Sequence, residues 1–270
     1  MKNIKLILCD LDGTLLNDEK TVSEYTRNVI EKARDKGILF GLATGRSLYA
    51  VNNLIDQWGI RNQCDILLGF NGGQIIDDSL GINTIHNPLK GQYFIEIINQ
   101  FKELPCSLCI YDKNTLYSYR DDKDSKTLAM SNGFEYKVID DIEEFFKKDY
   151  PKLVIMTKKE DMPLIIEKSK TFTHEEYHCM QTGPVLFEYM STKVSKSQGI
   201  KKVCDLHGYT MDNVCVFGDA QNDRDMLIKA GLGVCMINGD DETKAMSDDI
   251  TEYDNNHDGV ARYIEDNILK

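Results

Sequence analysis

This 270-residue chain predicts an α/β protein with a Rossmann-like parallel-sheet core and an inserted α+β domain. Three observations carry that prediction. Strand-length apolar runs alternate with segments of helical period over the first third of the chain, and the alternation returns over the last third. The stretch between them is richer in aromatic residues and patterned for an antiparallel or mixed sheet. The flanking parts read as two halves of one sheet, which makes the middle an insertion.

The elements follow in order. Ile4 to Cys9 is an apolar strand that runs into two aspartates, too short for the apolar core of a signal peptide. Thr21-Val22-Ser23-Glu24 resembles a capping box, with Val22, Val29, Ile30 and Ala33 on one side of the helix and Gly37 as its stop. Ile38–Thr44 is the second strand. Ser47 caps a second helix whose stripe is Leu48, Val51, Leu54, Ile55 and Trp58, ending at Gly59. Asp65–Asn71 is a third strand, and this order implies parallel strands with right-handed crossovers. Late in the chain, Lys196–His207 reads as helix, Asn213–Gly218 as a buried strand, and Asn222–Ala230 as helix. Gly233–Met236 is a short strand and Asp258–Leu269 a closing helix. The predicted domains are 1–82 with 190–270, and 83–189, where "SLCIYDKNTLYSYR" and "PVLFEYM" read as strands. Such an insertion sets a cleft between two domains.

Composition narrows the function. A 41% apolar and 28% charged chain with five prolines is an ordinary folded protein. No run approaches the ~20 apolar residues of a membrane span. The eight cysteines are scattered, several inside apolar runs, which fits a reducing cytoplasm better than a disulfide framework. A net charge of −12 with no basic footprint argues against nucleic acid. It also means that positive charge must be concentrated wherever an anion binds.

Four segments carry candidate chemistry. In "LILCDLDGTLL" a strand delivers Asp10 and Asp12 to its carboxyl end, where doubly wound sheets collect ligands; an acidic turn around Gly13 is the plainer alternative. In "FGLATGRS" Thr44-Gly45-Arg46 precede a helix capped by Ser47, an arrangement that suits an anion or merely turns the chain. Lys196 opens a helix, though Lys193, Lys201 and Lys202 compete with it. In "VCVFGDAQNDRDM" a buried strand ends at Gly218-Asp219, with Asn222 and Asp223 in the next turn and Asp225 beyond, more acid than helix capping requires. Together they place Asp10, Asp12, Thr44, Lys196, Asp219 and Asp223 around one point. Crowded carboxylates cannot all ionise without a cation, and hard oxygen ligands in a partly open site favour Mg²⁺.

These four segments, in this order and with an insertion between the second and third, resemble the haloacid dehalogenase-like hydrolase superfamily, and within it the Cof-like phosphatases with a large α/β cap. "GFNGG" (Asn71-Gly72) and "DGVARYI" extend the likeness over the core, whereas the insertion matches only in size and position. The resemblance implies a phosphatase acting on a small phosphorylated metabolite, such as a sugar phosphate, with no obligate protein partner. Asp10 would be the nucleophile and form an aspartyl-phosphate. Asp12 would act as general acid and then base, a role that calls for a pKa raised by its neighbours. Asp10, Asp219 and the backbone carbonyl of Asp12 would hold Mg²⁺, with Asp223 in support. Thr44, Gly45, Lys196 and Asn222 would bind the phosphoryl group. A phosphotransferase such as a sugar phosphomutase is the alternative, and a binding module without turnover is a third reading, disfavoured by the intact charged set.

Two departures stand out from that family pattern. Ser197 replaces a common glycine, and "CMINGD" (Cys235 to Asp240) replaces a common "AMxNA". Two other motifs mislead. "HEEYH" (His174 to His178) has zinc-protease spacing but no helical stripe, and Gly183-Pro184 follows at once. "PCSLC" offers Cys106 and Cys109 without a second pair or a helix start, so packing is the expected role.

Overall fold

A computed structural model describes residues 3–270. The chain starts with β1 (Leu6–Cys9), α1 (Glu24–Asp35), β2 (Leu39–Ala43), α2 (Leu48–Trp58), β3 (Ile66–Gly69), β4 (Gln74–Asp77) and β5 (Ile82–Ile85). The middle contributes α3 (Gly91–Phe101), β6 (Cys106–Asp112), β7 (Thr115–Ser118), α4 (Lys123–Ser131), β8 (Glu135–Val138) and α5 (Ile142–Phe145). β9 (Lys152–Thr157), α6 (Met162–Ser169), β10 (Tyr177–Gly183) and β11 (Leu186–Ser191) complete it. The last part holds α7 (Lys196–His207), β12 (Val214–Gly218), α8 (Arg224–Lys229), β13 (Leu232–Cys235), α9 (Asp241–Ala245), β14 (Asp249–Ile250) and α10 (Gly259–Asn267). These elements form two compact units: the residues up to Thr84 together with Ser195–Lys270, and Ile85–Val194.

The first unit is built on an eight-stranded sheet of order β14-β13-β12-β1-β2-β3-β4-β5. Its central strands are parallel, and β4 turns back antiparallel on β3. Alternation along β1 shows why the apolar runs are continuous. Ile7 and Cys9 enter a core with Val29 and Ile30 of α1, Val51 and Ile55 of α2, and Val260 and Ile264 of α10. Leu6 and Leu8 enter the opposite core with Ile200 and Val203 of α7 and Met226 of α8. A strand covered on both faces has no polar side to show.

The second unit is a six-stranded sheet of order β10-β11-β9-β6-β7-β8, antiparallel except for the β7–β8 pair. One face carries an aromatic-rich core of Phe94 and Phe101 from α3, Ile165 from α6, and Phe187 and Tyr189 from β11. The aromatic enrichment of the middle region thus fills a core. A buried ion pair, Lys152 to Glu188 at 2.5 Å, links β9 to β11.

Strand ends differ from the sequence expectation by one or two residues, and three helix boundaries differ for local reasons. The cap of α1 is Ser23, whose Oγ accepts from the Thr26 N–H at 3.0 Å, while the Thr21 hydroxyl is taken by Asn17 Oδ1. Asp258 does not begin α10 in helical geometry. It sits at φ +61°, and its carboxylate accepts from Ser23 Oγ at 2.5 Å and Thr26 Oγ1 at 2.8 Å, tying α10 to α1. The helix expected over 222–230 divides into a 3-10 turn, Gln221–Asp223, and the short α8.

Candidate active site

Adjacent strands β12, β1, β2 and β3 end side by side, and the residues just beyond them build the site. Asp10 follows β1, Asp219 follows β12, Thr44 follows β2, and Phe70-Asn71 follow β3. This is the carboxyl edge, where open parallel sheets bind ligands. α7 brings Lys196 there as its first residue, with Ser195 Oγ capping the Gln198 N–H at 3.3 Å. Two glycines let that helix approach closely: a Cβ on Gly199 would lie 2.7 Å from the Gly72 Cα.

Lys196 is fully buried and donates to Asp10 Oδ1 and to Asp223 Oδ1, each at 2.5 Å. Burial opposes the ammonium, but Asp10 and Asp223 overcome it and hold Lys196 above its usual pKa. Asp223 is fully committed, since its Oδ2 also accepts the N–H groups of Asp219 at 3.0 Å and Ala220 at 3.1 Å. That work explains why residues 221–223 do not join α8. Asp219 accepts from Thr14 Oγ1 at 2.8 Å. Ligand atoms of Asp10, Asp219 and Asp223 all lie within 4.8 Å of one another. Burial raises the carboxyls of Asp10 and Asp219, and the neighbouring aspartates raise them further against the pull of Lys196. Three carboxylates with one lysine leave uncompensated negative charge, so the donor set fits a small hard cation.

The turn after β1 has to be glycine. Gly13 lies at φ +85°, and a Cβ there would meet Asp219 Oδ2 at 2.6 Å. The "CMINGD" loop is stitched to the same place: Asn238 Nδ2 donates to the Gly13 carbonyl at 2.7 Å, and the Asp240 N–H to the Asp219 carbonyl at 3.1 Å. Ser197, the other departure, is buried and receives Lys229 Nζ at 3.2 Å while its N–H donates to Asp225 at 3.2 Å.

Thr44, Gly45 and Asn222 meet through Asn71, which sequence reasoning noted in a motif but gave no role. Asn71 is buried; its N–H donates to the Thr44 carbonyl at 3.0 Å and its Oδ1 accepts from Asn222 Nδ2 at 3.3 Å. A Cβ on Gly45 would approach that Oδ1 to 3.2 Å. Phe70 and Asn71 are both left-handed, at φ +49° and +54°, and consecutive residues so placed mark stored backbone strain of the kind that gathers at functional sites. A run of glycines around one asparagine was the available signal.

Asp12 departs from expectation. Its surroundings do not raise its pKa. Partial burial pushes upward, but Arg46 and Lys20 outweigh it and hold the carboxyl at about 2. Arg46 grips it as a fork, Nε to Oδ2 at 2.8 Å and Nη2 to Oδ1 at 2.9 Å, and Lys20 Nζ adds a bond to Oδ1 at 2.8 Å. The expectation weighed neighbouring carboxylates and overlooked two cations. Arg46 stood in the quoted motif, whereas Lys20 carried no local signal.

The misleading motifs resolve as packing. Tyr177 and His178 belong to β10, so "HEEYH" forms no helix, and His174 stacks on Tyr177 with ring centroids 5.2 Å apart. Cys106 and Cys109 lie three apart on β6, on opposite faces: one donates to the Phe101 carbonyl, the other meets Ser125 Oγ at 3.2 Å. All eight cysteines are free. No helix among the described residues is long and apolar enough to cross a membrane.

Known proteins share this architecture. The family model described as haloacid dehalogenase-like hydrolase matches residues 7–264. The chain is similar to the 5-amino-6-(5-phospho-D-ribitylamino)uracil phosphatase YitU of Bacillus subtilis, at 29% identity over 97% of this chain and 96% of the other. A second phosphatase of that name from Bacillus subtilis, YcsE, is 28% identical over 99% of this chain and 97% of its own. Among solved structures, a protein of Thermotoga maritima superposes with a TM-score of 0.81 at 27% identity, covering 97% of each chain. A haloacid dehalogenase-like hydrolase of Bacteroides thetaiotaomicron gives 0.82 at 25% identity, over 97% of this chain and 98% of that one. With four carboxyl-edge segments in order and a family match over nearly its whole length, the chain belongs to the haloacid dehalogenase-like hydrolase family, in its Cof-like branch.

Proposed function

We propose that this chain is a magnesium-dependent phosphatase that hydrolyses phosphate monoesters of small metabolites, of the sugar- or polyol-phosphate kind, through an aspartyl-phosphate on Asp10. The observation that carries the reading is the convergence of Asp10, Asp219 and Asp223 within 4.8 Å around buried Lys196. Relatives named as phosphatases of a ribitylamino-uracil phosphate support the class of substrate. Eight free cysteines suit a reducing cytoplasm, where we place the enzyme.

Asp10 attacks phosphorus in line, and an O–P bond forms as the ester P–O bond breaks. As the phosphate ester draws Arg46 and Lys20 away from its carboxyl, Asp12 takes up a proton from solvent and gives it to the departing oxygen. In the second half a water attacks phosphorus, Asp12 takes the water's proton, and the Asp10 carboxylate is released with inorganic phosphate. Lys196, Thr44 with the Gly45 backbone, and Asn222 hold the phosphoryl oxygens. Mg²⁺, when bound by Asp10, Asp219 and the Asp12 carbonyl with Asp223 in support, supplies the positive charge that lets these carboxylates ionise and offsets charge on the phosphoryl group.

The test is phosphate release from a panel of phosphorylated metabolites, with Mg²⁺ and with EDTA. Turnover that depends on Mg²⁺ supports the reading, and unchanged turnover in EDTA overturns the metal assignment. Isomerised product that depends on a sugar bisphosphate would replace hydrolysis with mutase chemistry.

A further inference from the structure

We propose that Asp225 is a positioning residue that sets where the Lys196 ammonium stands, an inference that rests on the phosphatase reading above. The sequence marks the place twice: Ser197 departs from the family pattern, and Asp225 is more acid than helix capping requires. The structure joins these two residues. Ser197 is buried at the second position of α7, and its N–H donates to Asp225 Oδ2 at 3.2 Å.

An α-helix begins with N–H groups that have no partner inside the helix. At the start of α7, Ser195 Oγ takes the Gln198 N–H at 3.3 Å, and the Ser195 carbonyl takes the Gly199 N–H at 3.1 Å. The Ser197 N–H goes instead to a carboxylate from another helix, whose negative charge also suits this end of the macrodipole. α8 supplies that carboxylate and grips the same residue a second time. Asp225 and Lys229 lie four apart, on one face of α8, and Lys229 Nζ donates to Ser197 Oγ at 3.2 Å.

The consequence falls on the residue before Ser197. The Lys196 ammonium binds Asp223 and Asp10, each at 2.5 Å, while the next N–H along the chain binds Asp225. Two neighbours on α7 therefore engage two aspartates of one segment, the first by the tip of a long side chain and the second by rigid backbone. An ammonium on a flexible four-carbon stem keeps its partners even when its base shifts. The bond to Asp225 fixes that base. The ammonium then meets the transferring phosphoryl oxygens from one direction, which is the positioning that phosphoryl transfer needs. Asp225 itself touches neither substrate nor metal in this scheme.

The test compares turnover with binding of orthovanadate, both in saturating Mg²⁺ and well below the Tm of every variant. Orthovanadate adopts the five-coordinate geometry of the transferring phosphoryl group, so calorimetry with it reports the placement of Lys196 without turnover. Asp225→Ala should lower kcat on p-nitrophenyl phosphate and weaken vanadate binding, each roughly ten-fold, with half-saturation by Mg²⁺ moved less than about two-fold. Asp225→Ser, too short to reach Ser197, should give the same losses and serves if the alanine variant does not fold. Asp225→Asn keeps an acceptor oxygen and should stay within about three-fold of the parent on both readouts. A merely structural role would lower Tm and leave kcat and vanadate affinity unchanged in the folded variants, and that result would overturn the proposal. So would an asparagine variant as impaired as alanine, or a loss of Mg²⁺ affinity as large as the loss of kcat. A parent protein without turnover would overturn the phosphatase reading itself, whereas an active parent matched by Asp225→Ala would overturn this inference alone.

Discussion

Asp10 and Asp12 stand two positions apart on one strand end, yet they occupy opposite electrostatic surroundings. Asp10 is buried against Asp219 and Asp223 with a single ammonium between them, and its carboxyl is driven upward. Asp12 is more exposed, faces Arg46 and Lys20, and is held down at about 2. For the proposed reaction each is set the wrong way round by its neighbouring side chains alone. A nucleophile must be ionised, and an acid must carry a proton. The difference teaches what each half of the site lacks. The Asp10 half sets three carboxylates against the one ammonium of Lys196, a balance that the proposed metal would redress. The Asp12 half has a surplus of cations, which an incoming phosphate ester can draw off. Environments that push two carboxyls apart also divide the labour between them.

The largest test of this comparison removes the nucleophile. Asp10→Asn should lower kcat on p-nitrophenyl phosphate by at least about 1,000-fold while the circular dichroism spectrum stays native. Substantial residual turnover would mean another group attacks phosphorus, and the contrast between the two aspartates would lose its chemical meaning.

Next comes the ammonium that joins the acidic half together. Lys196→Met leaves Asp10 and Asp223 buried without their shared partner, a change that costs about 3–5 kcal/mol when a buried pair is broken. Thermal unfolding in EDTA should show that loss, and Mg²⁺ should recover part of it by compensating the same carboxylates. A variant as stable as the parent in EDTA would show that the acidic half tolerates its own charge.

The acidic half also predicts a pH dependence, with a definite sign. A carboxyl raised in the folded state contributes stability below its unfolded pKa of ~3.9, and that contribution is lost as pH rises through the raised folded value. Asp10 and Asp219 are both raised, so the metal-free protein should lose several degrees of Tm between roughly pH 4 and pH 8. Asp12 works in the opposite sense, but only between its unfolded value of ~3.9 and its folded value near 2, outside that window. Asp10→Asn should flatten the slope, and Mg²⁺ should raise Tm more at pH 8 than at pH 5. A flat profile for the parent protein in EDTA would break the comparison at its acidic end.

Legibility followed the range of the interactions. The parallel sheet and the strand-end positions of Asp10, Thr44 and Asp219 were readable because each depends on a local pattern: an apolar run, then a polar residue, then a helix. Lys196 was readable only in company with the others, since nothing in its own segment separates it from Lys201 or Lys202. The state of Asp12 was misread because it depends on Lys20 and Arg46, and Lys20 reaches it only through a turn fixed by Asn17, Asn255 and Asn256. A lysine in left-handed backbone, at φ +58°, leaves no composition signal. Asn71 lay in a quoted motif, but its link to Asn222 spans 151 positions and is invisible to any window.

The smallest expected effect lies at the cationic end, in Arg46→Lys. Charge is preserved there, so a purely electrostatic account of Asp12 predicts no change. The structure gives Arg46 more than charge. Its guanidinium meets both carboxyl oxygens in a fork, at 2.8 and 2.9 Å, and lies 6.0 Å from the Trp58 ring centroid, which helps hold its plane. A lysine ammonium is a point charge on a flexible stem and cannot span two oxygens in one plane. Losing one charge-assisted hydrogen bond on a partly exposed pair is worth about 1 kcal/mol, or roughly five-fold in rate. The loss should fall on kcat/KM for alkyl phosphates, leaving metal affinity and Tm unchanged, because no contact of the acidic half is touched. If Arg46→Lys instead weakened Mg²⁺ binding, the two halves would be one coupled network, and the separate settings of Asp10 and Asp12 would have to be argued as a single titrating unit.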